Sequence, residues 1–156
     1  MNPFVRVGMA FLATLGAGLV GYLFVDTQVS SWYEGLAKPP LTPSGSTVII
    51  VSLVLYFLMA LALALIWTKN PQTTHTQGWA CFYFFQLLLN AAWTVFFFCL
   101  HSALVTFIDT LVLGFVVLSL IASAWEIDRR ASYLMLPYLA WIFFAGYLSL
   151  HIWLLN

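Results

Sequence analysis

Apolar residues in this chain neither alternate nor follow one helical stripe. They continue for about twenty residues at a time, the length that crosses a bilayer as helix. Five such runs lie at about 4–25, 46–67, 78–99, 103–124 and 132–153. Polar residues collect between them: in a first loop of about 26–45, at Thr68–Gln77, at His101–Ser102 and at Trp125–Ala131. In lipid no water satisfies an open backbone, so each run must be helix. Barrel strands would be shorter and would alternate, which excludes a barrel. The pattern predicts an all-α integral membrane protein, one domain over 1–156, with five transmembrane helices in a single bundle and a long lid-like first loop.

Composition sharpens this. The chain is 63% hydrophobic and only 6% charged, where soluble domains carry about 25% charged residues. Zero net charge and five scattered basic residues give no footprint for nucleic acid. Arg6, Lys69, Arg129 and Arg130 fall on the N-terminal side and Lys38 alone on the other. Basic residues favour the cytoplasmic side, so the N-terminus is expected inside, with the first loop and the C-terminus outward. Arg6 followed by an apolar run resembles a signal peptide. The run has the length of a full span and no small-residue cleavage site, so it reads as a retained helix. Cys81 and Cys99 share a helix about 27 Å apart, too far for a mutual disulfide.

In the first helix Ala10, Thr14 and Gly18, and likewise Ala13, Ala17 and Gly21, recur at four-residue spacing. Such stripes let membrane helices approach closely, within one chain or between two. No repeat of the kind that builds inverted-repeat transporters is visible. Trp32, Trp67, Trp79 and Trp153 lie near span boundaries, where interfacial anchoring is the default role.

Polar side chains within the spans carry the functional signal. Gln86, Asn90, Trp93 and Phe97 share one face of the third helix. They suit either hydrogen bonding between helices or the wall of a pocket. Asp109 sits two turns into the fourth helix with no mid-span cation to pair with, and suits a structural or a ligand role equally. Pro137, Trp141, Phe144 and Leu148 form a stripe on the fifth, where the proline frees a carbonyl near Tyr133 and favours a kink. His75, His101 and His151 lack metal-ligand spacing, so no metal is expected. No nucleophile–base pair or phosphate loop is present, and catalytic residues stay unassigned.

Four segments in order resemble the translocator protein family, the tryptophan-rich sensory proteins. They are Trp32-Tyr33-x-x-Leu36-x-Lys38-Pro39 with Pro43; Gln86-x-x-x-Asn90-x-x-Trp93 with Phe96-Phe97; Asp109; and Pro137-Tyr138-x-x-Trp141 with Ala145-x-Tyr147-Leu148. The resemblance implies a five-helix, usually dimeric protein whose first loop closes a pocket for porphyrins and related tetrapyrroles, sterols in animals, and benzodiazepine-type ligands. By the same resemblance Trp32, Tyr33, Lys38 and Pro39 belong to the lid. Asn90 and Trp93 belong to one wall and Trp141 to another; Gln86 and Asp109 from the matching segments, Phe144 from the Trp141 stripe and Ser52 are further ligand-binding candidates.

Two departures stand out. The family's second-helix pocket tryptophan matches Ser52, and no basic residue follows Tyr147 as the animal sterol segment requires. A tetrapyrrole is broad, flat and apolar with acidic edges. Aromatic walls would stack on it, amides would orient its polar rim, and Lys38 is placed to meet a propionate. The leading expectation is a sensor, scavenger or regulator in a bacterial inner membrane. It would be in contact with lipid, homodimeric by resemblance, with porphyrin or haem-type tetrapyrrole as ligand and no obligatory cofactor. A porphyrin transporter and a light- or oxidation-dependent porphyrin-degrading enzyme are the alternatives.

Overall fold

Each apolar run folds as one long helix, because the backbone inside lipid has only itself to bond with. The computed structural model describes residues 2–28, 31–69 and 73–156. Helix α1 spans Pro3–Gln28, the short α2 Ser31–Gly35 and α3 Gly45–Lys69. Helix α4 spans Thr74–Thr94 and continues through a π turn at Val95–Cys99; α5 is Ala103–Ile127 and α6 Arg129–Leu155. The five long helices are each long and apolar enough to cross a membrane. They pack as a ring in the order α1, α3, α6, α5, α4 and back to α1. Large apolar side chains such as Phe4, Leu88 and Phe115 point outward, which a bilayer tolerates and water does not.

Each helix overruns its apolar run at one end or both, since polar residues at the interface remain helical without being hydrophobic. The expected first loop of 26–45 is therefore shorter: α1 reaches Gln28 and α2 occupies Ser31–Gly35, while residues 29 and 30 lie outside the described residues. The expected break at Trp125–Ala131 contracts to Asp128 alone. Its backbone N–H closes α5 on the Ala124 carbonyl, and its carboxylate accepts from the Arg130 N–H at 2.9 Å as the N-cap of α6. Ser102 caps α5 in the same way, and Thr73 caps α4.

The small-residue stripes of α1 work inside the bundle. Ala10 and Thr14 are fully buried, and Thr14 shares a 2.9 Å hydrogen bond with the Tyr83 hydroxyl of α4. Gly18 lets the Tyr56 ring of α3 lie against α1, because a Cβ there would stand 2.9 Å from two ring carbons. Trp79 departs from the belt expectation: it is buried, stacks on Tyr83 and donates to the Leu120 carbonyl at 2.9 Å. Its place near a span end in the sequence conceals that α5 crosses beside it. Pro137 is exposed, and α6 runs unbroken past it.

Most charge collects at one end. Lys69 Nζ meets Asp128 at 3.2 Å, and Arg6 Nη1 reaches the Trp67 carbonyl at 3.5 Å, near the C-terminus of α3. Burial raises the Asp128 pKa, but the Arg130 N–H and the Lys69 ammonium outweigh it and hold the carboxyl below its ordinary 3.8.

Two stability predictions follow from this packing. Gly18→Ala should cost about 1–3 kcal/mol by overpacking against Tyr56, read as a lowered thermal midpoint in detergent. Gly16→Ala, whose Cβ meets nothing within 4 Å, should leave the midpoint level or slightly raised. Asp128→Ala should cost about 1 kcal/mol by loss of the cap, whereas Asp128→Asn keeps the cap and loses only the ion pair. A depressed folded pKa stabilises above the unfolded one. The gap between wild type and Asp128→Asn should therefore be present at neutral pH and close as pH falls below the ordinary 3.8 and through the lower folded value.

Candidate functional site

Opposite the charged end, α2 packs where the end of α4, the start of α5 and the end of α6 come together. The π turn of α4 closes with the Leu100 N–H on the Val95 carbonyl at 3.0 Å, one residue wider than an α turn. Within this wider turn the consecutive Phe97 and Phe98 are both buried. Trp32 and Tyr33 of α2 set their rings against Phe97 with centroids 5.5 and 6.0 Å away, and Tyr33 also meets Phe98 at 6.2 Å. Trp93 stacks beneath Phe97 at 5.5 Å with planes 12° apart. Leu36, Ala103 and Ile152 complete the cluster. The Trp32 and Tyr33 contacts with Phe97 are edge-to-face and the Trp93 contact is stacked, arrangements that aromatic quadrupoles favour.

Lys38 is exposed and holds its ammonium 4.3 Å from the centre of the Tyr33 ring. Burial pushes the Tyr33 phenol above its ordinary pKa, so the ring stays neutral and the contact is cation–π rather than ionic. Pro39 is buried directly after it. The turn beyond the π segment places His101 at φ 52, in the left-handed region, where its ring lies 4.5 Å from Trp32.

One level deeper, the Trp93 indole donates to Thr110 Oγ1 at 3.0 Å, and Thr110 donates on to the Thr106 carbonyl at 2.8 Å. Asp109 is buried beside Thr110, with Oδ2 unpartnered among the described residues. Deeper still, α3, α4 and α6 share a directed hydrogen-bond chain. Tyr56 donates to Asn90 Oδ1 at 2.7 Å, Asn90 Nδ2 donates to the Tyr138 hydroxyl at 2.6 Å, and Tyr138 donates to Gln86 Oε1 at 3.1 Å. Gln86 is fully buried, and its Nε2 has no partner among the described residues.

Nine of the eleven expected site residues thus fall into three groups, and Asp109 and Ser52 stand apart. Trp32, Tyr33 and Trp93 meet around Phe97, with Lys38 over the Tyr33 ring and Pro39 next in sequence. Gln86 and Asn90 meet in the tyrosine–amide chain. Trp141 and Phe144 pair with each other at 5.5 Å on α6, in a ladder continuing through Tyr147 to His151. Trp141 also packs on the main core. Asp109 neighbours Thr110, and Ser52 is half-buried one turn from Tyr56 on the same face of α3. Tyr56, Tyr138, Thr110 and Phe98 are the site residues that residue spacing missed. Tyr56 lies at the spacing that follows Ser52 by one helical turn, which was the available clue. Among the described residues no three His, Cys, Asp or Glu side chains cluster as a metal site would.

Tyr138→Phe leaves Gln86 Oε1 and Asn90 Nδ2 without their partner and should cost about 1–3 kcal/mol. Tyr56→Phe strips only Asn90 Oδ1 and should cost less. The double variant should differ from the sum of the two, because both hydroxyls act on Asn90. Unfolding in mixed detergent measures all three.

A model of the TspO/MBR family matches residues 10–154 of this chain. The tryptophan-rich protein TspO of Archaeoglobus fulgidus is 36% identical over 147 residues, which is 94% of this chain and 94% of that protein. Translocator protein of Bos taurus is 31% identical over 152 residues, 94% of this chain and 87% of its own. Protein CrtK of Rhodobacter capsulatus is 27% identical over 146 residues, 94% of this chain and 89% of its own. With five membrane-crossing helices and a family match over nearly its whole length, the chain is an integral membrane protein and belongs to the TspO/MBR family.

Proposed function

We propose that the protein binds a tetrapyrrole of porphyrin or haem type against the Trp93–Phe97 stack beneath α2, and acts as a sensor, scavenger or regulator. The observation that carries this is the meeting of Trp32, Tyr33, Phe97, Phe98 and Trp93 beside one exposed cation, Lys38. Flat apolar rings suit a macrocycle face, and the ammonium suits a propionate at its edge. A π turn lies within the cluster, as π turns often do at functional sites. Trp32 and Tyr33 rest directly on Phe97, so a planar ligand must part these rings, and the cap has to lift.

With Lys38 at the cap end and Arg6, Lys69, Arg129 and Arg130 at the other, the charge asymmetry favours a cytoplasmic N-terminus and an outward cap. A bacterial inner membrane is the location this reading takes. Ser52, where the family usually carries a pocket tryptophan, removes a flat surface close to Tyr56 and shifts ligand preference rather than abolishing binding. The name of the bovine relative raises transport. Alternating access uses broken helices, whereas α1, α3, α5 and α6 are continuous, which favours binding over passage.

Titration of the purified protein with protoporphyrin, read by tryptophan fluorescence, should show saturable quenching. Trp93→Leu and Trp32→Ala should each weaken binding of protoporphyrin and of its dimethyl ester. Lys38→Met should weaken only the free acid, by about two- to fivefold, the range of an exposed ion pair. Unchanged affinity for both porphyrins in the tryptophan variants would sink the proposal.

A further inference from the structure

Asn156 follows α6, and its side-chain amide is fully engaged. Oδ1 accepts from the Ala37 N–H at 2.9 Å, while Nδ2 donates to the Ala37 carbonyl at 3.0 Å and to the Ile152 carbonyl at 2.8 Å. The bond to Ile152 alone would finish the helix. The other two join the amide to both backbone groups of one residue, the exchange that pairs residues across antiparallel strands. That residue lies between α2 and Lys38-Pro39, in the connection that carries the cap. Ile152 belongs to the same aromatic cluster that seats Trp32, Tyr33 and Leu36. The end of α6 therefore meets the cap in two ways, through the apolar cluster that Ile152 shares with it and by a paired polar contact from Asn156.

We propose that Asn156 is the latch of the cap, and that releasing Ala37 is the step that admits a ligand to the Trp93–Phe97 stack. The ligand half of this rests on the function proposed above; the latch half does not. The aromatic contacts set where the cap rests, and the two bonds to Ala37 set how often it leaves. Both partners are exposed, so water replaces the broken bonds and each contributes modestly. Such a latch opens reversibly without unfolding the bundle, as local opening in proteins does. Because Asn156 terminates α6, a shift of that helix against α5 also reaches the cap through it.

Hydrogen exchange at the Ala37 amide tests the latch directly, using the full chain in detergent without ligand. Asn156→Leu removes every bond and should speed exchange roughly tenfold, with Asn156→Asp, which keeps the acceptor and loses both donors, in between. Both positions face water, so the thermal midpoint should stay level and confirm an intact fold. Stopped-flow quenching with protoporphyrin should show association and dissociation rising together in Asn156→Leu, at nearly constant affinity. Unchanged exchange at Ala37 overturns the latch whatever the porphyrin does. Faster exchange with unaltered porphyrin rates overturns the gating role. If protoporphyrin fails to bind the wild type, the tetrapyrrole reading falls, and the exchange result alone still decides whether Asn156 holds the cap.

Discussion

A polar atom inside a membrane-spanning bundle has no water to turn to, and the Tyr138 hydroxyl is where this bundle meets that demand. It accepts from Asn90 of α4 and donates to Gln86 one turn away, while Tyr56 of α3 completes Asn90 from the other side. Three helices are held in register by groups that no lipid would satisfy. Apolar packing in a membrane is poorly directional, since lipid tails are as good a neighbour as leucine. The tyrosine–amide chain supplies direction. Gly18 is part of the same constraint, because only a residue without Cβ lets the Tyr56 ring reach its position between α1 and α4.

Above this fixed layer the structure changes character. The cap is joined to the bundle mainly by ring contacts around Phe97 and by water-accessible hydrogen bonds at Ala37. The deep layer resists rearrangement, since an unmade bond there stays unmade. The cap layer can exchange its contacts for solvent or ligand at modest cost. Trp93 spans the two: its ring stacks on Phe97, and its indole N–H is anchored to Thr110. A rigid floor with a separable cover is the arrangement that the tetrapyrrole binding proposed above would use.

Much of this was legible in the sequence. Five apolar runs give five helices, because length and continuity leave lipid-embedded backbone no other choice. The stripe of Gln86, Asn90 and Trp93 faces inward, as polar groups in a span must. What spacing did not reveal was which partners they would find. Tyr56 and Tyr138 have no spacing that marks them, and only the closed bundle, which turns α3 and α6 inward toward α4, makes them hydrogen-bond partners. Trp79 misled for the same reason: proximity to a span end says nothing of the helix beside it. The junction at Asp128 was over-drawn because Glu126, Arg129 and Arg130 are polar yet helical. Hydropathy marks where lipid ends rather than where the helix does.

The π turn at Val95–Cys99 sets a limit on how this chain can vary. It holds one residue more than a regular turn, and the consecutive Phe97 and Phe98 within it are both buried. Loss of any residue in the segment would rewind it to ordinary pitch and rotate everything after it by about a hundred degrees. The side chains after the lost residue would leave their places in the aromatic cluster, and His101 would carry its left-handed corner away from Trp32. Point changes of similar size fit this stretch; changes of length do not, so related chains that keep this cap should keep the residue count between Trp93 and Ser102.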